Sequence, residues 1–151
     1  GEGNDLHPYD KKLVADRVFN AAMDLVYGRQ AQPQPAVETI EVCGDLLRMH
    51  CVWRSRSDER IRSESRRLMT LDGDAPHEIE FLWRDCATSA RAEAWLDGCD
   101  IVARMTARRP DEVRYAWSNN PESGLICDGD GMLIPPFRLT LPTDDDKGIH
   151  A

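Results

Sequence analysis

The sequence of 151 residues lacks several patterns that would assign a function directly. Its five cysteines include no C-x-x-C pair, which argues against a zinc ribbon or a thioredoxin-like dithiol. No group of His, Cys, Asp or Glu has the spacing of metal ligands, so we predict no metal site and expect no cofactor. No serine stands in a Gly-Asp-Ser-like or Gly-x-Ser-x-Gly segment, the usual setting of an esterase nucleophile.

Positive charge is also scarce. The formal net charge is −8, with 19 Lys and Arg against 27 Asp and Glu. Because nucleic acids and anionic membranes attract basic surfaces, we expect neither as a partner. No apolar run approaches the roughly 18 residues that span a bilayer, and no signal peptide is visible. The chain opens on Gly1 rather than methionine, so we expect that its true beginning has been removed.

The first 28 residues have the pattern of an amphipathic helix. Pro8 suits the first helical position, where its missing N–H costs nothing. Apolar residues then recur at helical spacing from Leu13 to Val26, and Gly28 is a typical helix end. Residues 29–36 hold two prolines and three glutamines without periodicity, which predicts a linker.

From residue 37 the apolar spacing changes to a period of two, which is typical of half-buried strands. The alternation recurs in residues 47–53, 79–83, 90–96, 101–105, 113–117 and 137–141. Asp97-Gly98 is a favoured hairpin turn between two of these runs. The spacing predicts an antiparallel β-sandwich or jelly roll over 37–142, followed by a flexible tail at 143–151. The predicted fold class is therefore α+β: one N-terminal helix followed by a β-sandwich.

Several local features have simple structural interpretations. The arginine-rich stretch 54–67 contains interspersed acids, which favours a solvated loop or edge strand over an anion site. Asp128-Gly129-Asp130-Gly131 has no downstream glutamate of a calcium loop, so a turn is expected. Most cysteines stand among apolar neighbours, and we expect them to be small buried side chains with at most one disulfide.

The four tryptophans differ in their expected exposure. Trp53, Trp83 and Trp117 follow the apolar alternation of predicted strands, which predicts burial. Trp95 alternates with alanines and neighbours Glu93, so it is the aromatic residue that we expect to be exposed.

Two blocks of the sequence resemble the sialate O-acetylesterase family, which are SGNH-type serine esterases. The first is Gly1-Glu2-Gly3-Asn4-Asp5-Leu6-His7-Pro8 with its following helix, and the second comprises 113–117, 120–121, 131–133 and 136–138. Residues 92–102 are similar too. The sequence departs from the family pattern at 124–127, where Gly-Leu-Ile-Cys replaces Asn-Leu-x-Asn, and at 131–133, where Gly-Met-Leu replaces Gly-Leu-Pro.

The resemblance implies that residues 1–28 end the SGNH α/β domain and contribute its last helix. It also implies that His7 is the general base and Asp5 its acid partner. A neutral imidazole accepts a proton near neutral pH, and a carboxylate stabilises the imidazolium. Because alternate residues of an extended segment point to opposite sides, this pairing needs a local turn, and Asn4 is an alternative orienting residue. Without the resemblance, helix capping by Asp5 or His7 is the favoured interpretation.

Since the chain has no recognisable nucleophile, we interpret it as the C-terminal part of a carbohydrate O-acetylesterase. The serine would come from the N-terminal part of the same esterase, in one chain or two. The implied substrate is an acetylated glycan, such as 9-O-acetylated sialic acid, in a secreted, periplasmic or lysosomal setting. The alternative is a non-catalytic β-sandwich that binds glycan or stabilises a partner domain, with Trp95 as the candidate stacking residue.

Overall fold

The computed structural model describes residues 15, 18, 19, 22, 23, 26–28, 33–54, 60–61, 66–118 and 123–142. The predicted catalytic pair Asp5 and His7 lies outside this part of the chain, as does the tail 143–151. The domain boundaries at 28 and 142 therefore stay predictions.

The described residues form eleven strands, and every strand pair is antiparallel. The strands are β1 (Gln34–Cys43), β2 (Leu46–Arg54), β3 (Arg60–Ile61), β4 (Leu68–Thr70), β5 (Ile79–Trp83), β6 (Thr88–Arg91), β7 (Glu93–Asp97), β8 (Asp100–Arg104), β9 (Glu112–Tyr115), β10 (Ile126–Asp128) and β11 (Phe137–Thr140).

The strands form two main sheets and one small sheet. The first sheet has the order β1-β2-β8-β7, with β3 paired to β2, and the second has the order β11-β9-β5-β6. Strands β10 and β4 form the two-stranded sheet. The chain crosses between the main sheets at Ala92, between β6 and β7, where the Ala92 N–H donates to the Ile79 carbonyl at 2.9 Å.

A single hydrophobic core contains residues from both main sheets. Strand β2 contributes Leu47, Met49, Cys51 and Trp53, each at most 1% exposed. The opposite sheet contributes Phe81, Val113 and Tyr115 with similar burial. Because these residues alternate with polar or outward-facing ones, the period-two pattern of the sequence specifies which face of each strand is buried.

The predicted α+β fold class is wrong. The described residues form an almost entirely antiparallel β structure. The described positions between 15 and 27 have helical backbone, but they are single residues or pairs and define no helical element. At the described positions of the predicted N-terminal helix, Val18, Phe19, Val26 and Tyr27 are 60–71% exposed. Apolar periodicity gives a segment the ability to bury one face, but these side chains add nothing to the core that defines the fold. The β-sandwich part of the prediction fits in part, since two main sheets share one core.

Two strand ends differ from the alternation in the sequence. Strand β1 begins at Gln34, within the range predicted as a linker, and includes Pro35. Proline is tolerated there because β1 is at the edge of its sheet and pairs only with β2. Strand β9 ends at Tyr115, because Ala116 adopts a φ of 51°, which an extended strand does not allow.

Candidate functional site

The described histidines do not form a catalytic centre with any described serine. His50 Nδ1 lies 3.2 Å from Asp100 Oδ1, and its Nε2 lies 3.5 Å from Glu41 Oε2. His50 is therefore a histidine whose ring nitrogens are satisfied by carboxylates on the outer side of β2. His77 is exposed in the segment before β5. The catalytic roles of His7 and Asp5 stay predictions.

A polar groove of about 380 Å³ lies on the outer face of the second main sheet. We call it the arginine groove, because Arg84, Arg114 and Arg138 line it together with the buried Glu112. The pairing of β5, β9 and β11 places these residues side by side although they are far apart in sequence. Outward positions alternate with core positions along each strand, so the buried face and the groove face share the same three strands.

Glu112 holds two of the arginines in place. Its Oε2 accepts a hydrogen bond from Arg138 Nε at 2.5 Å, and its Oε1 accepts two from Arg84 at 2.8 and 2.6 Å. Only 6% of Glu112 is exposed. The guanidinium groups of Arg138 and then Arg84 hold the pKa of the Glu112 carboxyl below its ordinary value, so this carboxylate is ionised at neutral pH.

The third arginine is held from the neighbouring strand. Arg114 Nε donates to Glu80 Oε2 at 2.6 Å, and Arg114 Nη2 lies 3.4 Å from Ser89 Oγ. In the strand register Arg114 is directly opposite Arg138. The arrangement presents several fixed N–H donors along one wall, which suits an anionic or strongly polar ligand.

A second groove, of about 530 Å³, lies between β4, the 71–76 segment and the edge strand β7. We call it the tryptophan groove, since Trp95 and Leu96 form one side and Met69, Thr70 and Asp74 form the other. Trp95 is half-buried, and Arg104 Cζ lies 5.8 Å from its ring centroid. An aromatic ring beside apolar walls and a carboxylate suits a sugar, which presents both C–H faces and hydroxyl groups.

The other tryptophans divide into two groups. Trp53 and Trp83 are buried as predicted, and their Nε1–H groups donate to Asp128 Oδ2 at 2.8 Å and to the Arg109 carbonyl at 3.1 Å. The prediction that Trp117 is buried is wrong, because half of it is exposed. The positive φ of Ala116 interrupts the alternation that would have directed Trp117 into the core.

The segment 128–131 is a turn, as predicted, built around a buried carboxylate. Asp128 Oδ1 accepts hydrogen bonds from the N–H groups of Asp130 and Met132, each at 3.0 Å. Arg66 Nη1 lies 3.4 Å from Asp128 Oδ2, and the Arg66 guanidinium lies over the Trp53 ring. No group of three or more His, Cys, Asp or Glu within the described ranges is placed to hold a metal ion.

The cysteines are less buried than predicted. Cys51 and Cys127 are buried, Cys99 is half-buried, and Cys43 and Cys86 are exposed, so the expectation of burial for most of them is wrong. None of the five forms a disulfide in the described structure. Burial raises the pKa of the Cys51 thiol to about 12, which keeps it protonated and unreactive at neutral pH.

The part of the chain that the structure describes contains no helix with the length and hydropathy of a membrane span.

Comparison with known proteins gives a structural match. No protein-family model and no curated protein matches the sequence. Among solved structures, the crystal structure of a "novel carbohydrate acetylesterase from Xanthomonas citri" matches with a TM-score of 0.68 and 25% sequence identity. The match covers 89% of this chain and 29% of that chain, so this chain spans less than a third of that enzyme's length. The similarity supports a relation to carbohydrate esterases, and it does not select the sialate O-acetylesterase family.

Proposed function

We propose that this chain is part of a carbohydrate O-acetylesterase, a hydrolase that removes acetyl groups from glycans. The observation that carries the proposal is the structural match to a carbohydrate acetylesterase over 89% of the chain. The two sequence blocks that resemble serine acetylesterases, one at each end of the chain, agree with it. Because a fold alone hosts many functions, the chemistry has to be argued from residues.

His7 is the proposed general base of this reaction, with Asp5 as its proposed orienting acid. A serine hydroxyl from the N-terminal part of the enzyme attacks the acetyl carbonyl while His7 takes the hydroxyl proton. Collapse of the tetrahedral intermediate transfers that proton to the departing sugar oxygen and leaves an acetyl-serine. Water, deprotonated by His7, then releases acetate and restores the serine. Asn4 is the alternative orienting residue.

The proposed substrate is an acetylated glycan, either 9-O-acetylated sialic acid or an acetylated polysaccharide. The proposed partner is the N-terminal part of the esterase, within one chain or as a second chain. The proposed setting is secreted, periplasmic or lysosomal, as the resemblance to the sialate O-acetylesterase family implies.

The test is acetate release by the native protein isolated from its source. We expect release from 9-O-acetylated sialic acid or from an acetylated plant polysaccharide, and complete inhibition by a serine-reactive fluorophosphonate. The fluorophosphonate adduct should appear in the mass spectrum on the part of the enzyme that carries the nucleophile. Absence of acetate release from every acetylated substrate, or release that the fluorophosphonate does not inhibit, would refute the proposed serine-esterase function.

The second candidate function is glycan binding without catalysis, and the tryptophan groove favours it. Sugar binding there should quench or shift tryptophan fluorescence and should be lost in Trp95→Ala. Trp117→Ala is the matched control, because Trp117 is an exposed tryptophan outside this groove. Equal oligosaccharide binding by both variants would eliminate Trp95 as the stacking residue.

A further inference from the structure

The arginine groove contains an arrangement that the fold itself does not require. Arg114 and Arg138 are directly opposite each other on β9 and β11, and Arg84 approaches the same wall from the end of β5. Like charges at directly opposed positions destabilise a pair of strands. Local rules of this kind are broken most often where a protein binds something.

The guanidinium groups keep donors that no described side chain uses. Arg138 bonds Glu112 through Nε alone, which leaves both of its terminal nitrogens without a partner in the described structure. Arg84 and Arg114 each bond through Nε and Nη2, so Nη1 of each has no partner there either. A guanidinium group fixed through Nε and free at its outer nitrogens is preorganised to bind an anion.

The charge balance of the groove indicates what kind of anion would fit. Glu112 lines the groove with the three arginines, Glu80 pairs with Arg114, and the Asp111 carboxylate accepts the Arg84 backbone N–H at 2.8 Å. Three carboxylates therefore stand beside three arginines, and a phosphate dianion would put excess negative charge there. A single carboxylate adds less charge, and the planar fork of arginine matches it in two parallel hydrogen bonds.

We propose that the arginine groove binds the carboxylate of an acidic sugar residue in the glycan substrate. The choice of a sugar rests on the proposed carbohydrate esterase function, while the choice of a carboxylate rests on the groove alone. The volume of about 380 Å³ lies within the range of small-ligand sites, roughly 300 to 1,000 Å³. Thr88 and Ser89 supply hydroxyl groups for the sugar, and Leu82 supplies an apolar surface for its C–H groups.

An acidic side chain of a partner protein is the competing occupant. The small size and concave form of the groove favour the sugar, because stable protein interfaces bury roughly 800 Å² on each partner. The two carboxylate-bearing sugar classes, uronic acids and sialic acids, share the chemistry that the arginines recognise.

The test measures binding to the full chain by isothermal titration calorimetry, with four probes. Trigalacturonate and N-acetylneuraminate carry the carboxylate on a sugar, trigalacturonate methyl ester removes the charge but keeps the rings, and acetate keeps the charge without a sugar. We expect at least one acidic sugar to bind about tenfold more tightly than both the methyl ester and acetate. Which acidic sugar binds more tightly identifies the class.

Arg138→Gln is the decisive variant, with Arg54→Gln as its control. The two side chains are 49% and 46% exposed and each forms an ion pair with a glutamate, but Arg54 is on the other main sheet and lines neither groove. We expect Arg138→Gln to weaken acidic-sugar binding about tenfold and Arg54→Gln to leave it unchanged. Arg138→Lys keeps the positive charge but lacks the planar guanidinium group, so it should bind the acidic sugar with intermediate affinity. This variant replaces Arg138→Gln in the test if Arg138→Gln lowers the folding stability.

The proposal would be overturned by equal binding of acidic sugars and the methyl ester, by equal binding of acetate, or by wild-type affinity in Arg138→Gln. No acidic-sugar binding at all would also overturn it and would favour a partner's acidic side chain. Because the assay does not depend on ester cleavage, binding without acetate release would refute the esterase function and leave the arginine groove supported.

Discussion

Asp128 is the polar residue whose removal should destabilise the β-sandwich most. Only 2% of it is exposed, and it joins β10 to the core through Trp53. Its Oδ1 also accepts the N–H groups of Asp130 and Met132 and so closes the turn after β10. Asp128→Ala removes all of these acceptors at once, and it leaves the Trp53 indole N–H buried without a partner.

The cost follows from the number and burial of these bonds. A buried donor left unsatisfied costs about 1–3 kcal/mol, and the Trp53 side chain is only 1% exposed. Loss of two charge-assisted bonds in the turn adds a similar amount, which brings the expected total to about 2–6 kcal/mol. Asp128→Asn keeps one acceptor oxygen but turns an N–H group toward a donor, so we expect about 1–3 kcal/mol.

The assay is urea unfolding followed by tryptophan fluorescence, with the free energy of unfolding extrapolated to water. Asp130→Ala is the matched control, because Asp130 is in the same turn but its side chain is 63% exposed and lies 3.8 Å from Arg66. It should change the stability by less than about 0.5 kcal/mol. A loss below about 1 kcal/mol for Asp128→Ala, with an unchanged m-value, would refute the network as described.

Three further predictions concern single contacts. Tyr115→Phe should lower the free energy of unfolding, measured in urea, by about 1–3 kcal/mol, because the buried Tyr115 hydroxyl accepts the Ile126 N–H at 2.7 Å. Tyr27→Phe is the control, and it should not change the free energy of unfolding measurably because Tyr27 is exposed. Gly124→Ala should lower the melting temperature much more than Gly131→Ala, since both glycines have positive φ but only at Gly124 would a Cβ lie 2.3 Å from a carbonyl, that of Ala75. Glu112 has a lowered pKa in the folded state. The ionised Glu112 carboxylate therefore stabilises the fold fully above its ordinary pKa of 4.5, and this stabilisation is lost as the pH falls through the folded-state pKa. The difference in melting temperature between wild type and Glu112→Gln should shrink as the pH is lowered from pH 7 to pH 3. Equal effects of the two alanine variants, or an undiminished wild-type advantage over Glu112→Gln at pH 3, would contradict the last two.

The strands that alternate strictly could be predicted from the sequence. Residues 47–53 and 79–83 place every second side chain in the core, and this pattern alone determines which face is buried. The hairpin between β7 and β8 was equally readable, since Gly98 adopts the positive φ of 65° that its turn needs. The exposure of Trp117 could not be predicted in this way, because the positive φ of the preceding Ala116 leaves no trace in the hydrophobic pattern.

The candidate sites were hidden because they depend on contacts between distant residues. Arg84, Arg114 and Arg138 meet only through the strand order β11-β9-β5-β6, and nothing in their local sequence indicates that order. The arginine-rich stretch 54–67, where several arginines are close in sequence, was the only one weighed as an anion site, and it was interpreted as a solvated loop or edge strand. Trp95 was predicted to be the exposed tryptophan, but it is half-buried and Trp117 is the exposed one.

The most direct test of the proposed esterase function is acetate release by a His7→Ala variant of the native protein. His77→Ala is the control, since His77 is an exposed histidine of the β-sandwich with no proposed catalytic role. We expect His7→Ala to lose turnover by about a thousandfold or more at unchanged folding stability, as for the loss of a catalytic base, and His77→Ala to keep wild-type activity. Wild-type acetate release from His7→Ala would contradict the proposal that this chain supplies the catalytic base.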